Sequence, residues 1–160
     1  MVMYKRELAD YLDQVASKYP VITVIGPRQS GKSTLCRSLF SDHIYLSLEE
    51  TDTRELAAKD PRGFFKKYRQ NLVLDEIQRA PELLSYIQTM VDEPNSIRHF
   101  VLTGSHQLLL MEKVTQSLAG RTVIAKLLPF SRRELWSRHS KMTIDEFIFT
   151  GGYPRIYDKK

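Results

Sequence analysis

Gly26-Pro27-Arg28-Gln29-Ser30-Gly31-Lys32-Ser33 fits the pattern G-x-x-x-x-G-K-[ST] at every fixed position. It follows the apolar run Val21-Ile22-Thr23-Val24-Ile25, a buried-strand pattern, and runs into Leu35-Cys36-Arg37-Ser38-Leu39-Phe40, where Leu35 and Leu39 stand one helical turn apart. Strand, loop and helix thus come in the order that a phosphate-binding loop requires. Gly26 and Gly31 let the backbone turn and approach a ligand with no Cβ in the way. Successive N–H groups and the helix N-terminus then face one anion. Lys32 is expected to reach the β- and γ-phosphates, the Ser33 hydroxyl to ligate Mg²⁺, and Thr34 to add a phosphate contact. Pro27, Arg28, Gln29 and Ser30 complete the expected phosphate-binding set at the variable positions of the pattern.

The second landmark is Asn71-Leu72-Val73-Leu74-Asp75-Glu76, a continuous apolar run ending in two acids. It reads as a central parallel strand carrying carboxylates at its C-terminal end, the edge where ligands bind in open α/β sheets. Asp75 is placed to hold the Mg²⁺ shell. Glu76 is placed to polarise a water for in-line attack on the γ-phosphate.

Further strands are expected over 43–48, with Ile44, Leu46 and Leu48 on one face, over 99–105 and over 122–128. Between them lie helical patterns. Residues 4–18 form a leading amphipathic helix expected on the sheet edge, Asp52 with Glu55 a capping box, and Pro61 and Pro81 further helix starts. Another helix is expected from Gln107 to Leu118. Five strands alternating with helices predict a parallel sheet with right-handed crossovers. After Pro129 the character changes: Ser131 with Glu134 and Thr143 with Glu146 are capping boxes that open short helices, and Gly151-Gly152-Tyr153-Pro154 is a turn.

The chain has 160 residues, 42% hydrophobic and 27% charged, which excludes disordered and fibrous classes and fits one domain. A net charge of +5 permits nucleic-acid binding without demanding it. The single cysteine, Cys36, forms no internal disulfide and reads as a helix-packing residue, which fits a reducing cytoplasm. No apolar run approaches a membrane span, and the first residues lack a signal-peptide core, so a cytoplasmic location without membrane contact is expected.

Two residues extend the constellation. Thr103, at the tip of the fourth strand, is a candidate to bond the γ-phosphate or the attacking water; a strand-end hydroxyl satisfying loop backbone explains it equally well. Arg121, before the fifth strand, is a candidate arginine finger in cis or across a subunit interface, and equally an ordinary exposed arginine. His43, His99, His106 and His139 have no metal-cage spacing and read as structural or surface residues. Arg132, Arg133, Arg138 and Lys141 around Trp136 form a basic and aromatic cluster, read as a solvated helix face before a nucleic-acid contact.

The loop, together with Leu-Asp-Glu-Ile-Gln-Arg-Ala-Pro-Glu-Leu, Leu-Thr-Gly-Ser, Leu-Ala-Gly-Arg, Pro-Phe-Ser-Arg-Arg-Glu-Leu and Gly-Gly-Tyr-Pro, resembles the prokaryotic AAA-type P-loop ATPases that carry a C-terminal domain of unassigned function. The resemblance covers residues 20–154. It implies an α/β P-loop NTPase sandwich with a five-stranded parallel sheet of order 5-1-4-3-2, ATP with Mg²⁺, and a sensor role over 103–105. It also implies an ATPase core over 1–130 and the start of a helical lid over 131–160, with members continuing into a separate C-terminal domain. On this reading the chain is an N-terminal fragment. The functional expectation is Mg-ATP hydrolysis by a core coupled to that domain, to a partner or to further copies of itself. The alternative is a nucleotide-gated switch with little or no turnover.

Overall fold

A computed structural model describes residues 4–94, 96–105 and 108–158 of the chain. Three of its strands, β1 (Val21–Gly26), β3 (Leu72–Asp75) and β4 (Phe100–Ser105), are buried at every position, which is why their sequences run apolar without alternation. They are flanked by β2 (Ile44–Ser47) and β5 (Thr122–Lys126). All pairings are parallel and the order is β2-β3-β4-β1-β5, the order that the resemblance implies.

Because side chains alternate across a strand, the central strands β1, β3 and β4 each feed two cores. On one face Ile22, Val24, Val73, Val101 and Ala125 meet Leu12 and Val15 of α1 (Glu7–Ala16) and Leu35 and Cys36 of α2 (Lys32–Leu39). On the other, Val21, Leu72, Leu74, Phe100 and Leu102 meet α3 (Thr51–Lys59), α4 (Pro61–Lys67), α5 (Leu83–Asp92) and α6 (Leu108–Leu118). The result is a three-layer α/β sandwich. The leading helix lies beside α2 over β1 and the edge strand β5, so it covers the sheet at its β5 edge, with Leu12 and Val15 buried there.

Several expected boundaries shift by a residue or two. Helix α3 begins at Thr51 with Glu50 at its N-cap and no side-chain cap, so Asp52 and Glu55 do not form the expected box. Instead Thr53 Oγ1 donates to Glu50 Oε2 at 3.3 Å. Pro61 does open α4, where Asp60 accepts from the Gly63 N–H at 2.9 Å. Pro81 precedes α5 in a turn. The expected helix start at Gln107 and the reading of His106 lie outside the described residues.

The segment after β5 turns back across the strand exits. Both expected capping boxes form, at Ser131 with Glu134 on α7 (Arg132–Leu135) and at Thr143 with Glu146 on α8 (Ile144–Thr150). The turn over 151–154 leads into α9 (Pro154–Tyr157), fastened by a Phe130 N–H to Gly152 carbonyl bond of 2.7 Å. Tyr4, Phe130, Tyr157 and His139 pack around one another here, with ring centroids 4.9 to 6.4 Å apart, so the first and last described segments close over the same edge of the sheet.

Candidate functional site

In a parallel sheet all strands exit at one edge, and that edge gathers Gly26, Asp75 and Ser105. Glycine is required at 26 by a close approach: a Cβ there would stand 2.0 Å from the Leu127 carbonyl oxygen. It is required at 31 by conformation, since Gly31 takes φ +92° as it turns into α2. Lys32, 5% exposed, curls back so that its amine donates to the Gly26 and Pro27 carbonyls at 3.2 and 2.9 Å. Ser30 is fully buried, and its Oγ has no hydrogen-bond partner among the described residues. The first N–H groups of α2 lack intrahelical acceptors by geometry. Loop and helix thus present the Lys32 cation and the Ser33 and Thr34 residues, with backbone donors, around one concavity, with Ser30 buried outside its lining.

Asp75, 5% exposed, is the hub behind it. Its carboxylate accepts from Ser33 Oγ at 3.1 and 2.9 Å, from the Tyr45 hydroxyl at 2.5 Å, and from Thr103 Oγ1. Thr103 in turn accepts the Glu76 N–H at 3.3 Å. Burial, with help from the Asp75 hydrogen bond, pushes the Tyr45 phenol above its ordinary value, so it stays a donor at any working pH. Burial likewise pushes the Cys36 thiol up to about 12, which makes it the packing residue that its position on α2 suggests.

Glu76 sits at φ 60°, ψ 48°, a left-handed conformation that a non-glycine residue holds at a cost of about 1–3 kcal/mol. It opens a short 3-10 turn over Ile77–Arg79. Its carboxylate is engaged by the Gln78 side-chain amide, which also donates to Ser105 Oγ at 3.3 Å. The cleft in front of these groups has a volume of about 520 Å³. Arg28, Gln29, Gly31, Lys32, Ser33 and Thr34 of loop and helix line it, together with Glu76, Glu49 and Arg79. Tyr4, Phe130, Pro154 and Arg155 complete the lining.

The structure thus brings together residues 26–34, Asp75, Glu76 and Thr103. It does not bring Arg121. That residue precedes β5 and lies at the strand-entry edge, where its carbonyl accepts from Val21 N–H, about 17 Å from Gly26 at ~3.3 Å per residue along β1. Its guanidinium grips Asp92 in a two-pronged pair at 2.6 and 2.7 Å. An arginine finger in cis is corrected on that ground: a residue entering a parallel strand stands at the edge opposite the loop. The basic cluster of the tail is likewise engaged within the chain. Arg132 lies 4.8 Å over Trp136, Arg138 lies 5.0 Å over Tyr4, and Arg133 pairs with Glu7 at 3.3 Å.

Further contributors to the site were not singled out in the sequence, Tyr45, Arg6 and Arg79 among them. Arg6, 7% exposed, donates to the Ser30 carbonyl of the loop at 2.8 Å, to the Leu128 carbonyl at 2.6 Å and to Glu134 at 3.0 Å. Glu134 also accepts from the Glu7 and Ser131 N–H groups, both at 2.9 Å, so one buried ion pair ties loop, leading helix and tail together. Arg79 faces the cleft and pairs with Glu49 at 3.2 Å.

The site tolerates a hard divalent ion. A buried carboxylate beside a serine hydroxyl is an all-oxygen donor set, and among the described residues no group of three or more His, Cys, Asp or Glu stands ready to hold a metal alone. Mg²⁺ is ordinarily bound in this incomplete way, by one carboxylate or hydroxyl together with phosphate oxygens and water. Among the described residues no helix is long and apolar enough to cross a membrane.

Over 157 residues the chain is 29% identical to the uncharacterised protein Rv2008c of Mycobacterium tuberculosis, covering 96% of this chain and 34% of that protein. It therefore spans about a third of the length of the curated relatives it matches, 34% in each case. Among solved structures it is similar to the Walker-type ATPase PABY2304 of Pyrococcus abyssi, with a TM-score of 0.64 and 17% identity over 95% of this chain and 65% of that one. It is also similar to the ORC2 protein of Aeropyrum pernix in its ADP form, with a TM-score of 0.56 and 12% identity over 88% of this chain and 52% of that one. At such identities these structures speak for the fold. A family model described as AAA domain (AAA_14) matches residues 18–136, most of the chain and all of the strands and the loop just described. The chain belongs to this AAA domain family and carries an AAA-type P-loop ATPase core.

Proposed function

We propose that this chain binds Mg-ATP at residues 26–34 and hydrolyses it, with turnover coupled to a partner or to a C-terminal domain. The observation that carries the proposal is the convergence of Ser33 and Thr103 on Asp75, with Lys32 on the same loop and Glu76 beside it. Lys32 exchanges the Gly26 and Pro27 carbonyls for phosphate oxygens, a swap of neutral acceptors for charged ones that favours the ligand. Ser33 and Asp75 would hold Mg²⁺, which supplies charge neutralisation of the β- and γ-phosphates. Glu76 accepts the proton of a water as its oxygen attacks the γ-phosphorus, and the bond to the β,γ-bridging oxygen breaks to leave ADP and phosphate. Thr103 reports on that centre through Asp75 and the Glu76 N–H. Residues 131–160 act as the beginning of a lid over a core of 1–130, a role supported by Pro154 and Arg155 at the cleft wall. Arg121 enters this scheme only across a subunit interface.

One observation favours the second reading, a nucleotide-gated switch with little turnover: the Glu76 carboxylate is held by Gln78 and not free. Phosphate release by the wild-type chain beside Glu76→Gln separates the two. We expect the variant to bind Mg-ATP and to lose about 100-fold or more in rate, within the 10²–10⁴ range of a general base. Equal release from both, at background, would leave the switch and remove the enzyme.

A further inference from the structure

We infer that Tyr45 is a positioning residue for the divalent-metal site, acting through Asp75; the inference rests on the Mg-nucleotide reading above. Asp75 receives hydroxyls from three separate elements: Ser33 from α2, Thr103 from β4 and Tyr45 from β2. The first two belong to the phosphate loop and to the fourth strand tip. Tyr45 belongs to neither.

Its placement follows from the register. Tyr45 pairs with Val73 across the β2–β3 ladder, so Asp75 lies one full pleat further on and on the same face. A tyrosine leaning along its strand spans that step, and its hydroxyl meets Asp75 Oδ2 at 2.5 Å while Thr103 takes Oδ1. With a donor on each oxygen from opposite neighbouring strands, rotation of the carboxylate plane is blocked. The ring is itself fixed: the Arg37 guanidinium of α2, the helix that begins with Lys32 and Ser33, lies 4.5 Å above its centroid. With a metal bound, Ser33 and Asp75 would hold it, and Tyr45 and Thr103 would keep the Asp75 carboxylate in place. Groups in this outer position typically govern 10–100-fold in metal affinity.

The test uses Mn²⁺ as the probe, followed by electron paramagnetic resonance in the chain with ADP bound, and a fluorescent ADP analogue titrated in EDTA. Tyr45→Phe removes one oxygen and keeps the ring under Arg37. We expect it to weaken Mn²⁺ uptake about tenfold, with nucleotide affinity in EDTA unchanged. Arg37→Met, which frees the ring but keeps the hydroxyl, should show a smaller weakening of the same kind. Unchanged Mn²⁺ affinity in a Tyr45→Phe chain that binds ADP like wild type overturns the inference. So does an equal loss of affinity in EDTA, which would make Tyr45 a support of the loop and not of the metal. If wild type binds ADP in EDTA and takes up no Mn²⁺, the metal part of the proposed function fails and this inference with it.

Discussion

The two edges of the sheet carry similar residue types to different ends. At the strand-exit edge Lys32, Asp75 and Thr103 are buried, Thr103 donating to Asp75 and Lys32 to the loop, so their partners are loop carbonyls and neighbouring side-chain oxygens. At the strand-entry edge Arg121 is spent on Asp92, and His43 on Asp42 and His99, each at 2.6 to 2.9 Å. Those groups answer each other, and the Arg121–Asp92 pair stands in solvent. Polar residues at a sheet edge indicate a site when they face backbone or one another's lone pairs behind a cleft, and indicate fastening when they close into pairs.

The largest blow to this contrast should come from Lys32→Ala. Lys32 has two replaceable acceptors, and hydrogen bonds to charged groups contribute about 1.5–3 kcal/mol each. We expect Mg-ATP binding to weaken roughly 100-fold or more, and the melting-temperature rise on adding Mg-ATP to vanish. A variant that is still stabilised by Mg-ATP as strongly as wild type would move the site away from the loop.

What could be read in the sequence divides along similar lines. The loop, Asp75 and Glu76 were legible because each sits at the end of an apolar run, so local pattern alone places it at a strand exit. The sheet order came through the family resemblance and not from periodicity. The Arg6–Glu134 pair was not legible: Glu134 reads as the capping partner of Ser131, its contact with Arg6 joins positions 128 residues apart, and only the folded tail makes a buried ion pair of them. Tyr45 stood on the off face of an alternating strand, where a half-buried tyrosine is unremarkable until the neighbouring register puts Asp75 under its hydroxyl. For Arg121 the sequence left three readings open, and topology removes the one in cis, since a residue leading into a parallel strand stands a strand length from the exits. The Asp52 box failed because Glu50, two residues earlier, already had extended backbone and Thr53 as its partner.

A middle-sized effect should come from pH at the entry edge. Burial first, then the neighbouring His43, pulls the His99 imidazole down from 6.5 to about 4, with Asp42 and the Tyr19 backbone opposing. Phe40 also packs against its ring, with centroids 5.8 Å apart. Above pH 6.5 both folded and unfolded chains hold a neutral ring, so His99 contributes no slope. As pH falls from 6.5 towards 4 the unfolded chain takes up a proton that the folded chain refuses, and stability declines until the folded ring also protonates. In His99→Gln this component is absent while the carboxylates titrate as before. We expect wild type to lose about 3 °C more in melting temperature than the variant between pH 7 and pH 4, after allowing for partial exposure of the ring. Parallel curves would show that the ring protonates freely and that the entry edge is less closed than its pairs suggest.

The smallest effect is expected at Arg121, and it sharpens the contrast most. The pair with Asp92 is two-pronged but solvent-exposed, and exposed pairs contribute little because water screens them and two side chains are immobilised. Arg121→Ala should therefore shift the melting temperature by no more than about 3 °C and leave Mg-ATP affinity unchanged. Turnover per chain is the decisive reading, taken at rising protein concentration. A concentration-independent rate equal to wild type assigns Arg121 to fastening. A rate that falls about 1,000-fold in the variant, and rises with concentration in wild type, would place Arg121 at a neighbouring subunit's phosphates, the size of effect an arginine finger in trans produces. The two edges would then be halves of one site built between copies, with the exit edge supplying the nucleotide pocket and the entry edge supplying a cation once Asp92 has let it go.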